Sequence, residues 1–489
     1  MRDALFHLSR NSRTPLQTQL RELLVSAILE GEIPVGSRLP SSRRLAETLD
    51  VARNTVALAY QELVADGFLL AQERRGYFVN GDILAGRAEP AAGAGREASA
   101  AWLARLRARP SGQRNVVKPR HWQTYRYPFI YGQIDPALFP IAEWRECSRQ
   151  ALSVEAVRDW AVDHFTDDDP LLVEQIRTRL LPRRGVLVAA DEILVTVGAQ
   201  HALYLLAGLL MRADTTVGIE EPGYADARNI FALHSERLRP LPVDEHGIVV
   251  SDALAGCDYA YVTPSHQFPT TASLSLERRE ALLARATSDD FILIEDDYES
   301  EINHVGPPTP ALKSLDRSDR VVFVASLSKT LAPGLRLGYL VGPRELIREA
   351  RALRRLMLRH PPANNQRTVA LFLALGHHDS LMRRLSHAFR ERWQMMHAML
   401  ARHLPDCTVR PSVGGTACWV VGPPALDARE TERRAALDGI LIEPGDVHFL
   451  AEPPPRNCFR LGFSSIPLDR IEPGLKKLGD IVRAQLKQG

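Results

Sequence analysis

The stretch SLSKTLAPGLRLGY, residues 326–339, decides how this chain is read. It follows an apolar run, VVFVA at 321–325, and so sets Lys329 just beyond a buried strand. Two hydroxyls, Ser326 and Ser328, and one guanidinium, Arg336, flank the lysine. A lysine amine forms a Schiff base with a carbonyl carbon. Hydroxyls and a forked, always-charged arginine hold a phosphate. A group with both an aldehyde and a phosphate would suit such a site, and pyridoxal 5′-phosphate is one. A serine–x–x–lysine spacing by itself also describes many surface lysines, so the rest of the chain must supply the other parts.

Three parts are needed, and each falls at the end of an apolar run. A protonated ring nitrogen calls for a buried carboxylate. FILIEDDYESE (291–301) carries Glu295, Asp296 and Asp297 to the edge of a sheet, where open α/β folds keep their ligands. Asp296 and Asp297 compete for the ring nitrogen, and Tyr298 is placed for the phenolic oxygen. A phosphate calls for donors. LVTVGAQHALYLLAGLL (194–210) reads as strand, turn and helix, with Ala199 and Gln200 at the helix start. A ring calls for an aromatic cover, and EEPGYADARNIF sets Tyr224 after a Pro-Gly turn.

Together these features, across roughly residues 125–475, resemble the fold-type I pyridoxal phosphate aminotransferases. The likeness extends to YGQIDPALFP, VTPSHQFPTT and FRLGFSS. It implies that Lys329 carries the cofactor and that Asp296 pairs with the pyridine nitrogen. Tyr298 would bond the phenolic oxygen and Tyr224 would stack. Ala199, Gln200, Ser326, Ser328 and Arg336 would hold the phosphate. Arg460, in FRLGF, would bind the carboxylate of an effector. There are departures. Phe268 stands where true aminotransferases carry a ring-binding asparagine, Thr271 where glycine is common, and FTDDDPLLVEQI (165–176) lacks the usual glycine. Asp226, two positions after Tyr224, would favour a cationic or diamine effector.

The N-terminal region has a different character. Leu16, Leu20, Leu23, Leu24, Ala27 and Ile28 recur at helical spacing, GEIPVGSRLPSS breaks the helix, and helices follow at 43–49 and 53–65. Two short helices about a tight turn form a helix-turn-helix, with Arg53, Asn54 and Thr55 at the start of the second. AQERRGYFV (71–79) reads as a two-stranded wing. The run LPSSRRLAETLDVARNTVALAYQELVADGFL resembles the winged helix of GntR-type regulators. By that resemblance Arg43, Arg53 and Thr55 contact double-stranded DNA and Gly76 marks the wing tip. Ala52 replaces the family's serine or threonine.

Composition sets the bounds. The 489 residues need more than one core, and a net charge of +2 confines any nucleic-acid surface to a local patch. The five cysteines include no C-x-x-C pair, so neither a metal site nor a disulfide framework is indicated. The longest apolar stretch, 193–211, is interrupted by Gly198, Gln200 and His201, so no membrane association is expected, and the N-terminus lacks an apolar signal core. The expected location is the cytoplasm. The expected domains are a winged helix-turn-helix over 12–80, a linker over 81–120 with a short helix around 98–108, and an α/β aminotransferase-like domain over 121–489. Strands are expected at 193–197, 216–219, 259–263, 291–295 and 321–325.

A GntR-type winged helix joined to an aminotransferase-like domain resembles the MocR-type regulators. That likeness implies a head-to-tail homodimer that binds operator DNA and senses a small amine or amino acid such as gamma-aminobutyrate, taurine or an ectoine-derived diamino acid. An aminotransferase with an appended DNA-binding domain shares every cofactor residue. The DNA-binding half and Phe268 favour the regulator.

Overall fold

Helical spacing in the N-terminal region becomes a three-helix core. α1 (Leu16–Leu29), α2 (Ser42–Leu49) and α3 (Arg53–Ala65) bury Leu20, Leu24, Ile28, Leu45, Val56, Tyr60 and Leu63 against one another. Ser41 caps α2 by accepting from the Arg44 amide at 3.3 Å. Strands β1 (Leu69–Gln72) and β2 (Gly76–Val79) pair antiparallel as the wing. The molecule is a computed structural model that describes residues 8, 14–82, 102–306, 309–410 and 412–488. It divides into two units, Met1–Arg107 and Ala108–Gly489. Of the short helix expected around 98–108, residues 102–105 are helical and 98–101 lie outside the described residues.

The larger unit is built on eight strands. They are β3 (Ile193–Thr196), β4 (Thr216–Glu221), β5 (Arg237–Asp244), β6 (Gly247–Ile248), β7 (Tyr259–Val262), β8 (Ile292–Asp296), β9 (Val321–Ser326) and β10 (Gly338–Val341). Their spatial order is β3-β10-β9-β8-β7-β4-β5-β6. From β9 through β5 every pairing is parallel, whereas β10 runs antiparallel to both β9 and β3. Alternate residues of β9 feed opposite faces: Val322 and Val324 pack with α4 (Ala199–Leu210), while Phe323 and Ala325 pack on the other side. With both faces covered, the strand reads as an unbroken apolar run.

The reversal at β10 matters for the site. A parallel strand leaves the sheet at the ligand edge, but an antiparallel one enters there. Arg336, two residues before β10, therefore lies beside Ser326 at the end of β9, whose pairing partner is Gly338. A Cβ on Gly338 would stand 2.6 Å from the Ala325 carbonyl and 3.0 Å from the Gly198 backbone, so only glycine lets these segments meet.

A second, smaller sheet completes this unit. It orders β11 (Thr408–Val409), β12 (Ala417–Val421), β14 (Cys458–Gly462) and β13 (Glu443–Pro444), with β14 between β12 and β13. Arg460 sits mid-strand in β14, in register with Trp419 and Glu443.

Candidate cofactor and effector site

A cavity of about 270 Å³ opens at the carboxyl edge of the large sheet. Its lining includes Ala199, Gln200, Tyr224, Asp296, Tyr298, Ser326, Ser328, Lys329 and Arg336, which are all the cofactor residues named from sequence. Nearly all lie at or just past the end of a strand, so the fold itself brings them together.

Lys329 is half-buried in the cavity wall, and its Nζ stands 4.1 Å from the centroid of the Tyr131 ring. Burial lowers the amine to about 8, with Lys118 and Arg460 adding to the fall. A larger fraction is then the free base that attacks a carbonyl carbon.

The two competing aspartates part company. Asp297 turns away from the cavity to Arg184, at 2.7 Å, and accepts from Ser265 Oγ at 2.6 Å. Burial works against its charge, but the guanidinium and these hydrogen bonds hold it below the usual carboxylate range. Asp296 faces the cavity. Its Oδ2 accepts from Tyr261 Oη at 2.8 Å, and its Oδ1 is buried with no partner. Burial pushes this carboxyl up to about 7. A protonated ring nitrogen would supply the missing donor and restore the charge.

The phosphate end shows the same incompleteness. Ser328 Oγ is buried without a partner. Gly198, at φ +77, turns the chain into the twelve-residue helix α4, whose first amides point to the cavity edge. Arg336 backs that turn, with its Nη2 3.4 Å from the Val197 carbonyl. The residues present therefore fit pyridoxal phosphate. An orphaned acceptor lies where its nitrogen would be, and the unpaired Ser328 hydroxyl lies where its phosphate would be.

Tyr224 and Tyr298 are in place with their hydroxyls engaged. Tyr298 Oη donates to the His266 carbonyl at 2.6 Å. Tyr224 Oη donates to Asp226 Oδ2 at 2.9 Å, and Gln200 Nε2 reaches the same oxygen at 2.5 Å. Asp226 Oδ1 accepts from Asn115 Nδ2. Three donors already meet the carboxylate expected to face a cationic effector, and none of them carries a charge to balance it.

Arg460 lies one ring beyond the cavity. Its guanidinium is 3.7 Å from the Tyr131 centroid and 4.2 Å from that of Phe268, and none of its nitrogens has a hydrogen-bond partner among the described residues. Phe268, in place of a polar residue, closes an aromatic cluster with Tyr131, Tyr224 and Tyr298. Thr271, where glycine is common, holds a left-handed backbone at φ +64.

In the smaller unit, Arg53 and Asn54 are exposed at the start of α3 and Thr55 is half-buried. Arg43, on α2, is exposed beside Glu47 at 3.3 Å. Gly76 opens β2 at φ +105, with the Arg38 guanidinium alongside.

Family models agree with this division. The model for bacterial regulatory proteins of the gntR family matches residues 16–79, and that for aminotransferase class I and II matches residues 166–478. The HTH-type transcriptional regulator TauR of Rhodobacter capsulatus is 41% identical over 481 residues, covering 98% of this chain and 99% of that one. The probable rhizopine catabolism regulatory protein MocR of Rhizobium meliloti is 30% identical, over 96% of this chain and 94% of that one. The chain belongs to the MocR-type transcription regulators. In this regulator the larger unit also resembles the crystal structure of LysN, the α-aminoadipate aminotransferase of Thermus thermophilus. That match has a TM-score of 0.72 and 26% identity, and covers 79% of the regulator and 100% of LysN.

Sequence reasoning missed four residues of the regulator's site. Tyr261 is a hydroxyl inside a buried strand, and that oddity of YAYV was a readable signal. Tyr131 opens YGQIDPALFP, a stretch that the resemblance included without giving this residue a role, whereas Asn115 and Lys118 carried no signal, because they reach the cavity only through the tertiary fold.

Proposed function

We propose that this regulator binds operator DNA through its winged helix and holds pyridoxal phosphate in its larger unit, where it senses a small primary amine that bears an acid group. The carrying observation is the set of buried, partnerless groups around Lys329: Asp296 Oδ1, Ser328 Oγ and the Arg460 guanidinium. Buried polar groups are seldom left unpaired, so such a set marks a place for a ligand.

When bound, pyridoxal phosphate supplies an aldehyde for which an incoming amine competes with Lys329. The chain's own residues do the rest. Lys329, held near neutrality by burial, exchanges readily between free and condensed forms. Asp296 keeps the ring nitrogen protonated and Tyr224 covers the ring. Tyr298 is set for the phenolic oxygen. Ala199, Gln200, Ser326, Ser328 and Arg336 fix the phosphate. Arg460 receives the acid group once Tyr131 or Phe268 shifts aside. In the smaller unit Arg43, Arg53, Asn54, Thr55 and the wing at Gly76 meet the DNA. The regulator works in the cytoplasm as a head-to-tail homodimer, whose paired winged helices match paired half-sites.

The test is an absorbance titration of the loaded protein with a panel of small amines, with operator binding followed in parallel. One amine should shift the visible band, leave it shifted, and change operator affinity. Lys329→Ala should lose the band, and a band that persists would refute the role of Lys329. Turnover to the pyridoxamine form with no effect on DNA would instead make the chain a transaminase carrying a DNA-binding unit.

A further inference from the structure

We propose that Asp226 is a positioning residue that ties the filled cofactor pocket to residues 113–118, the strap by which the larger unit leaves the linker. The inference rests on the cofactor reading above and extends it to the route by which occupancy is communicated.

Residues 113–118 cross the mouth of the cavity, where Asn115, Val116 and Lys118 form part of its wall. The strap is pinned at both ends. At one end Gln113 Nε2 donates to the Asn229 carbonyl at 3.1 Å, and Arg114 pairs with Glu452 at 2.7 Å. At the other, Lys118 pairs with Glu443 at 3.3 Å. These bonds hold the strap to the body of the unit with no hydrogen bond to a cofactor residue, although the Lys118 charge also bears on Lys329.

Asn115 is different. Its Oδ1 accepts from the Val116 amide at 2.8 Å, which aims its Nδ2 at Asp226 Oδ1. Asp226 Oδ2 in turn takes the Tyr224 hydroxyl at 2.9 Å and Gln200 Nε2 at 2.5 Å, and Gln200 also donates to the Tyr224 oxygen at 3.1 Å. Tyr224 is the ring that covers the cofactor, and Gln200 is at the start of the phosphate-facing helix. One carboxylate therefore joins the two cofactor-facing side chains to the strap. A bound cofactor fixes Tyr224 and Gln200 by stacking and charge. Fixing them fixes Asp226, and a fixed acceptor holds Asn115. Without that restraint both donors to Oδ2 have more freedom, and the central anchor of the strap holds less firmly. The linker precedes the strap in the chain, so the order of the strap is the first thing the linker meets.

Hydrogen–deuterium exchange on the full chain tests this, with the peptide spanning 108–121 read with and without saturating pyridoxal phosphate. The cofactor band is recorded on every sample, so that only loaded protein is compared. In the wild type, loading should slow exchange in this peptide at least about fivefold. Asn115→Ala should bring the loaded-to-unloaded ratio within about twofold of unity. Gln113→Ala, which cuts an anchor off the Asp226 chain, should speed exchange in both states and keep the ratio. A merely structural Asn115 would behave like Gln113. Equal exchange in loaded and unloaded wild type, or an unchanged ratio in Asn115→Ala, overturns the inference. A loaded chain that ignores every amine and every operator would sink the proposed function and leave the exchange ratio standing, so the two failures are distinct.

Discussion

At the scale of single residues, the site is defined by groups that lack something. Asp296 carries the clearest consequence. Burial raises its folded value to about 7, against about 4 for a free aspartate. Between those values the folded chain keeps a proton that the unfolded chain has released. Its contribution to stability is therefore complete below about pH 4 and is lost as pH rises through about 7. Asp296→Asn cannot ionise. In the cofactor-free protein it should gain on the wild type steadily from about pH 4 to about pH 7 in urea midpoints. Parallel curves would mean that Asp296 is not the buried neutral acid described here. Residue identity was legible from sequence where a strand end dictated position, as for Lys329, Asp296 and Tyr224. It was not legible for Asp226. Its type suggested a cationic ligand, while two of its three protein donors come from segments distant in sequence.

At the scale of elements, two positions carry sharp predictions. Ala52 stands at the N-cap of α3 and offers no side-chain bond to that helix, whereas Ser41 caps α2. Ala52→Ser should stabilise the N-terminal unit by about 1 kcal/mol, read from the shift of its unfolding midpoint. Gly198 turns β3 into α4 at φ +77, and an added Cβ would sit 3.4 Å from Arg336 Nη2. Gly198→Ala should strain that turn and weaken cofactor binding about tenfold, or about 1.4 kcal/mol, in a spectral titration. An unchanged Kd would place the phosphate elsewhere. The five strands expected from apolar runs all form, each within two residues of its expected ends. Those missed in the large sheet are short or interrupted. β10 is only four residues, beginning inside the lysine motif, and β5 carries two prolines and runs next to the sheet edge, where missing donors are tolerated. The antiparallel entry of β10 was not readable either, because strand direction depends on connections rather than on residue pattern.

At the scale of the whole molecule, the two units have separate hydrophobic cores. Calorimetry should resolve two unfolding transitions, and pyridoxal phosphate should raise only that of the larger unit. The gain should be about 2.7 kcal/mol at a hundredfold excess over Kd. A single transition moving as one with cofactor would show that the units unfold together. The two-part plan was plain in the sequence because each part carries its own periodicity. The seam was harder to see. Composition stays poor in apolar residues up to about residue 120, yet the strap at 113–118 belongs to the larger unit's cavity wall. That strap sets a rule for anyone grafting the larger unit onto a foreign DNA reader. A splice made at residue 120, where composition invites it, would leave Asn115 and Lys118 behind with the discarded half. A splice made ahead of Ala108 would carry the whole cavity wall across with the larger unit.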